Sequence, residues 1–236
     1  MRDNALIWLA SYPKSGNTWL RSFLAAYLHP EQAFDINALD APIASARVLL
    51  DDCLGVELSD LPPEQVQNLL PLAYQAWAAE APPFRRLVKT HDALRLTPDG
   101  VPVFPPEVTQ GVIHIVRDPR DVVVSLAHHN GCDLEVAITQ LNNPHTWLAR
   151  SKGRALGQIP QYAQDWSGHA RSWLDAPFPR LLLRYEAMQA EPEVQFAAVI
   201  RFCELPFDAV RLQQALAATA FTKLQAQEAA QGFRER

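Results

Sequence analysis

The chain has 236 residues, 48% of them apolar and 20% charged, with a formal net charge of −5. That length suits one sizeable domain and not two independent cores. The apolar content excludes wholesale disorder, and the acidic balance excludes the basic surface by which a nucleic-acid binder holds its ligand. Any anionic ligand must be held by local basic groups and not by a general positive field. Cys53, Cys132 and Cys203 are widely spaced, with no CxxC or metal-type pattern. This argues against a disulfide scaffold or a metal site and for a reducing compartment. The opening MRDNALIWLASYPK lacks the h-region and cleavage pattern of a signal peptide. No apolar run approaches the ~18 residues that span a bilayer. A cytoplasmic protein with no membrane span is expected.

Residues 5–10, ALIWLA, form a short apolar run ahead of the polar SYPKSGN, which reads as a buried strand and a loop. Trp19, Leu20, Phe23, Leu24, Tyr27 and Leu28 then follow one helical face, with Asn17 or Thr18 as the expected cap. Residues 30–60 show no clean period; residues 63–80 predict a helix, with Pro63 in its first turn and a kink at Pro71. Strands are predicted at 85–91 (RRLVKTH), 111–117 (GVIHIVR) and 180–185 (RLLLRY). DPRDVVVSLAHH predicts a helix capped by Asp118 with Pro119 at its first position. Further helices are expected at 133–150, 161–175, 191–204 and 207–218, and the Pro-rich stretches 81–83 and 98–106 read as loops. Strands alternating with helices define an α/β fold. It has three layers: a mostly parallel central sheet with helices on both faces, as in P-loop nucleotide kinases. Ligands bind such sheets outside the carboxyl ends of the strands, so the polar tips after the first three strands should converge on one site.

The first tip is Ser11-Tyr12-Pro13-Lys14-Ser15-Gly16-Asn17-Thr18-Trp19. Backbone amides at a helix start favour a bound phosphate, Gly16 admits close approach, Lys14 adds charge, and Ser15 and Thr18 add hydroxyl donors. The pattern is not a Walker A loop, since Lys14 precedes the glycine. YPKSGNTW resembles the 5′-phosphosulfate loop, YPKSGTTW, of sulfotransferases that use 3′-phosphoadenosine 5′-phosphosulfate (PAPS), with Asn17 in place of a threonine. Arg117-Asp118-Pro119-Arg120-Asp121-Val122-Val123-Val124-Ser125 resembles that family's 3′-phosphate element, an Arg at a strand end and a Ser eight residues on. Arg117 offers phosphate a planar fork. Lys89-Thr90-His91 resembles the family's KTH element. The resemblance makes His91 the general base, a task its ordinary pKa suits, with Lys14 and Lys89 neutralising charge on the transferring sulfuryl group.

The same resemblance places adenine against Trp19, Tyr185, Thr219 and Phe221. His169, within Trp166-Ser167-Gly168-His169, resembles a family helix and reads as a packing residue. The implied function is transfer of the sulfuryl group from PAPS, with PAP as product, to a hydroxyl or amine of a small-molecule acceptor, without a metal. Residues 1–236 form a single sulfotransferase domain in this reading. The family's later RKGxxGxW segment, which completes the 3′-phosphate site, is absent from these 236 residues. Weaker hold on the cofactor is therefore expected, with Arg234 and Arg236 as partial substitutes. Two rivals stand beside this reading: a P-loop kinase or NTPase, which needs a Walker lysine and a magnesium-holding acid, and an inactive PAP-binding relative. Residues 30–60, 92–108 and 130–165, with Phe34, Phe104 and Trp147, are the expected acceptor wall. They leave a phenol, sugar, lipid, antibiotic scaffold or peptide tyrosine open as acceptor. A homo-oligomer is compatible with the sequence, which carries no signal for its state.

Overall fold

The computed structural model describes residues 5–80, 86–150 and 157–233. The loop expected at 81–83 lies outside the described residues, as do Arg234 and Arg236. The first strand, β1 (Leu6–Ser11), is buried along its whole length. It is flanked by β2 (Leu87–Thr90) and β3 (Thr109–Val116), and β3 pairs with β6 (Arg180–Arg184). All three pairings are parallel, and the order is β2-β1-β3-β6. Ile43 adds a parallel bridge to Lys89 on the outer edge of β2. β1, covered on both faces, is apolar at all but its last position and reads as a continuous apolar run, whereas the edge strand β6 buries only Leu183.

Strand alternation divides the core. Leu6, Trp8 and Ala10 face one way, toward α2 (Arg47–Leu54), α3 (Pro63–Glu80) and α6 (Trp166–Leu174). There the Trp8 ring packs edge-on against Tyr74 at 5.0 Å and Phe104 at 4.8 Å. Ile7 and Leu9 face α1 (Asn17–Leu28), α8 (Pro192–Phe202) and α9 (Ala209–Ala218). A third cluster joins Tyr12 to α4 (Pro119–Asn130) and α5 (Leu134–Leu141). Fully burying one of the larger apolar side chains contributes about 1.5–3 kcal/mol, so the two sheet faces dominate stability. Among the described residues no helix is long and apolar enough to cross a membrane.

Helix α4 starts where its sequence says, with Asp118 Oδ1 accepting from the Arg120 amide at 2.9 Å and Pro119 at the first position. Other boundaries move. α5 stops at Leu141, where Asn142-Asn143-Pro144 disfavours helix. Trp147–Leu148 becomes β4, paired antiparallel with β5 (Gln161–Tyr162). The helix expected from 161 begins at Trp166, because the Asp165 side chain caps it through the Gly168 amide at 2.6 Å. α7 (Tyr185–Ala190) follows β6 directly, and α10 (Phe221–Gln231) has no counterpart among the expected helices.

Candidate active site

The register of the sheet aligns the strand tips. Ala10 pairs with Thr90, so His91 follows beside Ser11, while Ser11 pairs with Ile115, two residues before Arg117. The loop between β1 and α1 is tightly wound. Lys14 has φ 66° and Gly16 φ 104°, both left-handed. At Gly16 a side chain is excluded twice, by that φ and because a Cβ would lie 2.6 Å from the Tyr185 ring. Gly16, and not Asn17 or Thr18, takes the N-cap position, and no side chain caps the first turn. Asn17 turns inward instead, its Nδ2 donating to the Leu9 carbonyl at 2.8 Å and the Ser11 hydroxyl at 3.2 Å.

Three buried polar atoms around this loop have no hydrogen-bond partner: Ser15 Oγ, Asn17 Oδ1 and Arg117 Nε. Burying polar groups unmatched is costly, and of these three the Ser15 hydroxyl and the Arg117 N–H are donors that an anion can satisfy, whereas Asn17 Oδ1 only accepts. A hydroxyl and a guanidinium N–H beside an uncapped helix start form a donor set suited to a phosphate or sulfate group. Lys89 is 9% exposed and lies on the strand face of Leu87, toward α1. Among the described residues no group of three or more His, Cys, Asp and Glu is gathered to hold a metal ion.

His91 is held at its ring and at its backbone. Nδ1 lies 2.7 Å from the Ser11 carbonyl and 3.4 Å from the Ser11 hydroxyl. A carbonyl only accepts, so Nδ1 carries the proton, and the neutral ring keeps its lone pair on Nε2. The His91 amide donates to Gln161 Oε1 at 3.1 Å. Behind His91, His169 is buried with its ring 5.6 Å from Tyr12 and 6.1 Å from His114. Burial first, then the neighbouring His114 and His91, holds the His169 imidazole well below its ordinary range. Burial and Arg180 push His114 down to about 4. Burial and Asp165 push the Tyr12 phenol up to about 12. These three groups stay neutral at ordinary pH.

Arg117 does not pair with Asp121. Its Nη1 donates to the Lys14 carbonyl at 3.0 Å and its guanidinium lies 4.4 Å over the Tyr185 ring. Tyr185 also meets Trp19 edge-on at 6.1 Å. Arg117, Tyr185, Gly16 and Trp19 therefore adjoin, from three separate stretches of sequence. Ser125 sits half-buried on α4, and Phe221 is 61% exposed at the start of α10. Thr219 is fully buried, its hydroxyl donating to the Ala215 carbonyl at 2.8 Å. Phe104 corrects an expectation: it is no part of a pocket wall but a fully buried core residue, 4.9 Å from Trp173. Phe34 and Trp147 are half-buried. Asp92 and Gln161 enter the site unforeseen, through contacts 70 residues apart, while Ser11, the first residue of the first tip, is the partner of the His91 ring.

A parallel sheet with an anion-suited loop after one strand and a histidine at the end of the next places a candidate ligand site outside the carboxyl ends of the strands. Residues 5–234 match the family model described as sulfotransferase domain, and the chain belongs to that family. It is 27% identical over 207 residues to cytosolic sulfotransferase 1 of Arabidopsis thaliana, covering 85% of this chain and 56% of that protein. It is 25% identical over 221 residues to sulfotransferase 1B1 of Mus musculus, covering 91% and 64% respectively. The chain thus spans less than two thirds of the length of either relative. Among solved structures, retinol dehydratase in complex with androsterone and the inactive cofactor PAP matches with a TM-score of 0.60 at 19% identity, covering 97% of this chain and 68% of that one. Mouse sulfotransferase SULT7A1 complexed with PAP matches with a TM-score of 0.56 at 18% identity, covering 96% and 67%. These likenesses establish the fold, a parallel sheet flanked by helices in the P-loop-kinase-like manner.

Proposed function

We propose that this chain transfers a sulfuryl group from PAPS to a hydroxyl or amine of a small-molecule acceptor, leaving PAP. The observation that carries the reading is the placement of His91, whose Nδ1 bond to Ser11 at 2.7 Å selects the base-competent tautomer one strand away from the anion-suited loop. Family membership supports the donor. Lys14, Ser15, Gly16, Asn17, Thr18 and Trp19 are proposed to hold the 5′-phosphosulfate end, and Arg117 with Ser125 the 3′-phosphate. Trp19, Tyr185, Thr219 and Phe221 are proposed for adenine; the exposed Phe221 and the Trp19–Tyr185 contact support this more than Thr219, whose hydroxyl is engaged. When bound, PAPS supplies the activated sulfuryl group. His91 accepts the acceptor's proton at Nε2, while Lys14 and Lys89 offset negative charge that grows as the group departs. The chain is proposed to act in the cytoplasm, as its plant relative's name suggests.

The test is a radiolabelled-PAPS assay against phenols, sterols, sugars, lipids and tyrosine peptides. The reading expects label in at least one acceptor and equimolar PAP. PAP binding without label in any class would favour a relative that binds but does not transfer.

A further inference from the structure

The segment that carries the base does not end in a loose loop. His91-Asp92-Ala93 runs alongside Gln161-Tyr162 of β5, and the two exchange three hydrogen bonds, two of them through side chains. The His91 amide donates to Gln161 Oε1 at 3.1 Å, the Tyr162 amide donates to Asp92 Oδ1 at 2.7 Å, and the Ala93 amide donates to the Tyr162 carbonyl at 2.8 Å. Asp92 and Gln161 are each 2% exposed.

The Asp92 carboxylate has more partners. Arg95 donates to it from Nε at 3.2 Å and Nη2 at 3.1 Å, and the same Nη2 reaches Gln67 Oε1 on α3. The Asp92 amide donates to Thr90 Oγ1 at 3.1 Å, and its carbonyl accepts from Trp173 Nε1 at 2.9 Å. Burial pushes the Asp92 carboxyl up, while Arg95 and the Tyr162 amide pull it back. A carboxylate this deep is costly unless its partners are in place, so loss of one partner weakens the whole network. The far side of the network is the β4–β5 hairpin, where the Trp147 and Tyr162 rings lie 5.0 Å apart and the Arg95 guanidinium sits 5.6 Å over Trp147.

We propose that Asp92 and Gln161 form a clasp that positions His91, fixing the backbone of the base against the aromatic hairpin so that its ring stays on the Ser11 carbonyl. Both are positioning residues, acting through His91. The clasp is made by side chains 70 residues apart, and these two bonds run to the hairpin and not to the loop from Tyr12 to Gly16. The proposal therefore expects a change in base positioning to leave cofactor binding nearly intact. The proposal rests on His91 being the base; its test includes a readout independent of turnover.

The experiment compares wild type, Asp92→Ala and Gln161→Leu, each alone and combined with His91→Ala. Gln161→Leu keeps the Asp92–Arg95 pair and serves if Asp92→Ala does not fold. Each single variant is expected to lower kcat about 30-fold, as a small misplacement of a catalytic group does, with the PAP Kd within about twofold of wild type. In the His91→Ala background neither should cause further loss, because residues acting as a unit are not additive. In PAP-saturated, ¹⁵N-histidine-labelled protein, wild type should show His91 protonated at Nδ1 alone, and the variants an average of both tautomers. Losses that add to that of His91→Ala, or an unchanged His91 tautomer, would overturn the clasp. If wild type transferred nothing to any acceptor, the functional reading would fall and the tautomer alone would decide the clasp.

Discussion

The two halves of the site meet at Ser11, whose carbonyl holds His91 and whose hydroxyl accepts from Asn17, yet they are built on opposite rules. The loop from Tyr12 to Gly16 is shaped by backbone, with two left-handed residues and an uncapped helix start. Its neighbourhood leaves Ser15 Oγ, Asn17 Oδ1 and Arg117 Nε unmatched. On the other side the ring, the amide and the following carboxylate of His91-Asp92 all have close partners. A site that receives an anion needs donors in reserve, as the Ser15 hydroxyl and the Arg117 N–H are, because the ligand satisfies them. A base that must meet a proton in one geometry needs to be immobilised beforehand.

His91→Ala is the sharpest way to break that comparison. It should lower transfer by about 1000-fold, within the range for loss of a general base, while calorimetry finds the PAP Kd within about twofold of wild type. Parallel loss of binding would mean that the two halves are not separate.

The next effect concerns the buried histidines behind His91. His114 takes up a proton near pH 6.5 when unfolded but only near 4 when folded. The unfolded state therefore binds more protons between those values. Stability is full above pH 6.5 and falls as pH drops toward 4, by about 3 kcal/mol from this residue. His169 acts in the same direction. Urea unfolding at pH 7 and pH 5 should show the decline, and His114→Gln should remove about half of it. An equal slope in that variant would place the acid sensitivity elsewhere.

Lys14→Ala tests the other half. Loss of one charge-assisted contact is worth about 2 kcal/mol, so the PAP Kd should rise about 30-fold and transfer should fall with it. Unchanged binding would show that the loop is not the phosphosulfate site. Gly16→Ala is the mildest: the left-handed φ of 104° alone costs about 1–2 kcal/mol, lowering Tm by about 4 °C. It should also weaken PAP binding by displacing Tyr185, which a Cβ would meet at 2.6 Å.

Contiguous features were legible in the sequence and assembled ones were not. The strands show as apolar runs because both faces of the sheet are covered, and α4 shows through Asp118 and Pro119 at its start. α10 was invisible because it buries little beyond Leu224; Gln227 ties it to Phe34 and Ile36, nearly 200 residues away. Phe104 lies in a Pro-rich stretch, and its burial comes from Trp8, Tyr74 and Trp173, which only the tertiary fold brings together. The same divide runs through the site. Lys14, Gly16 and His91 sit in short motifs, whereas the Asp92–Gln161 clasp and the Arg117–Tyr185 stack join distant segments whose pairing no local pattern encodes.

The central claim, a domain built to hold PAPS, is tested most directly by melting the protein with PAP and, separately, with ATP and magnesium. At about 100-fold excess over its Kd, a ligand adds about 2.7 kcal/mol, or about 5–10 °C at this chain length. The account predicts that rise with PAP and none with ATP–magnesium; a rise with ATP–magnesium and none with PAP would contradict it.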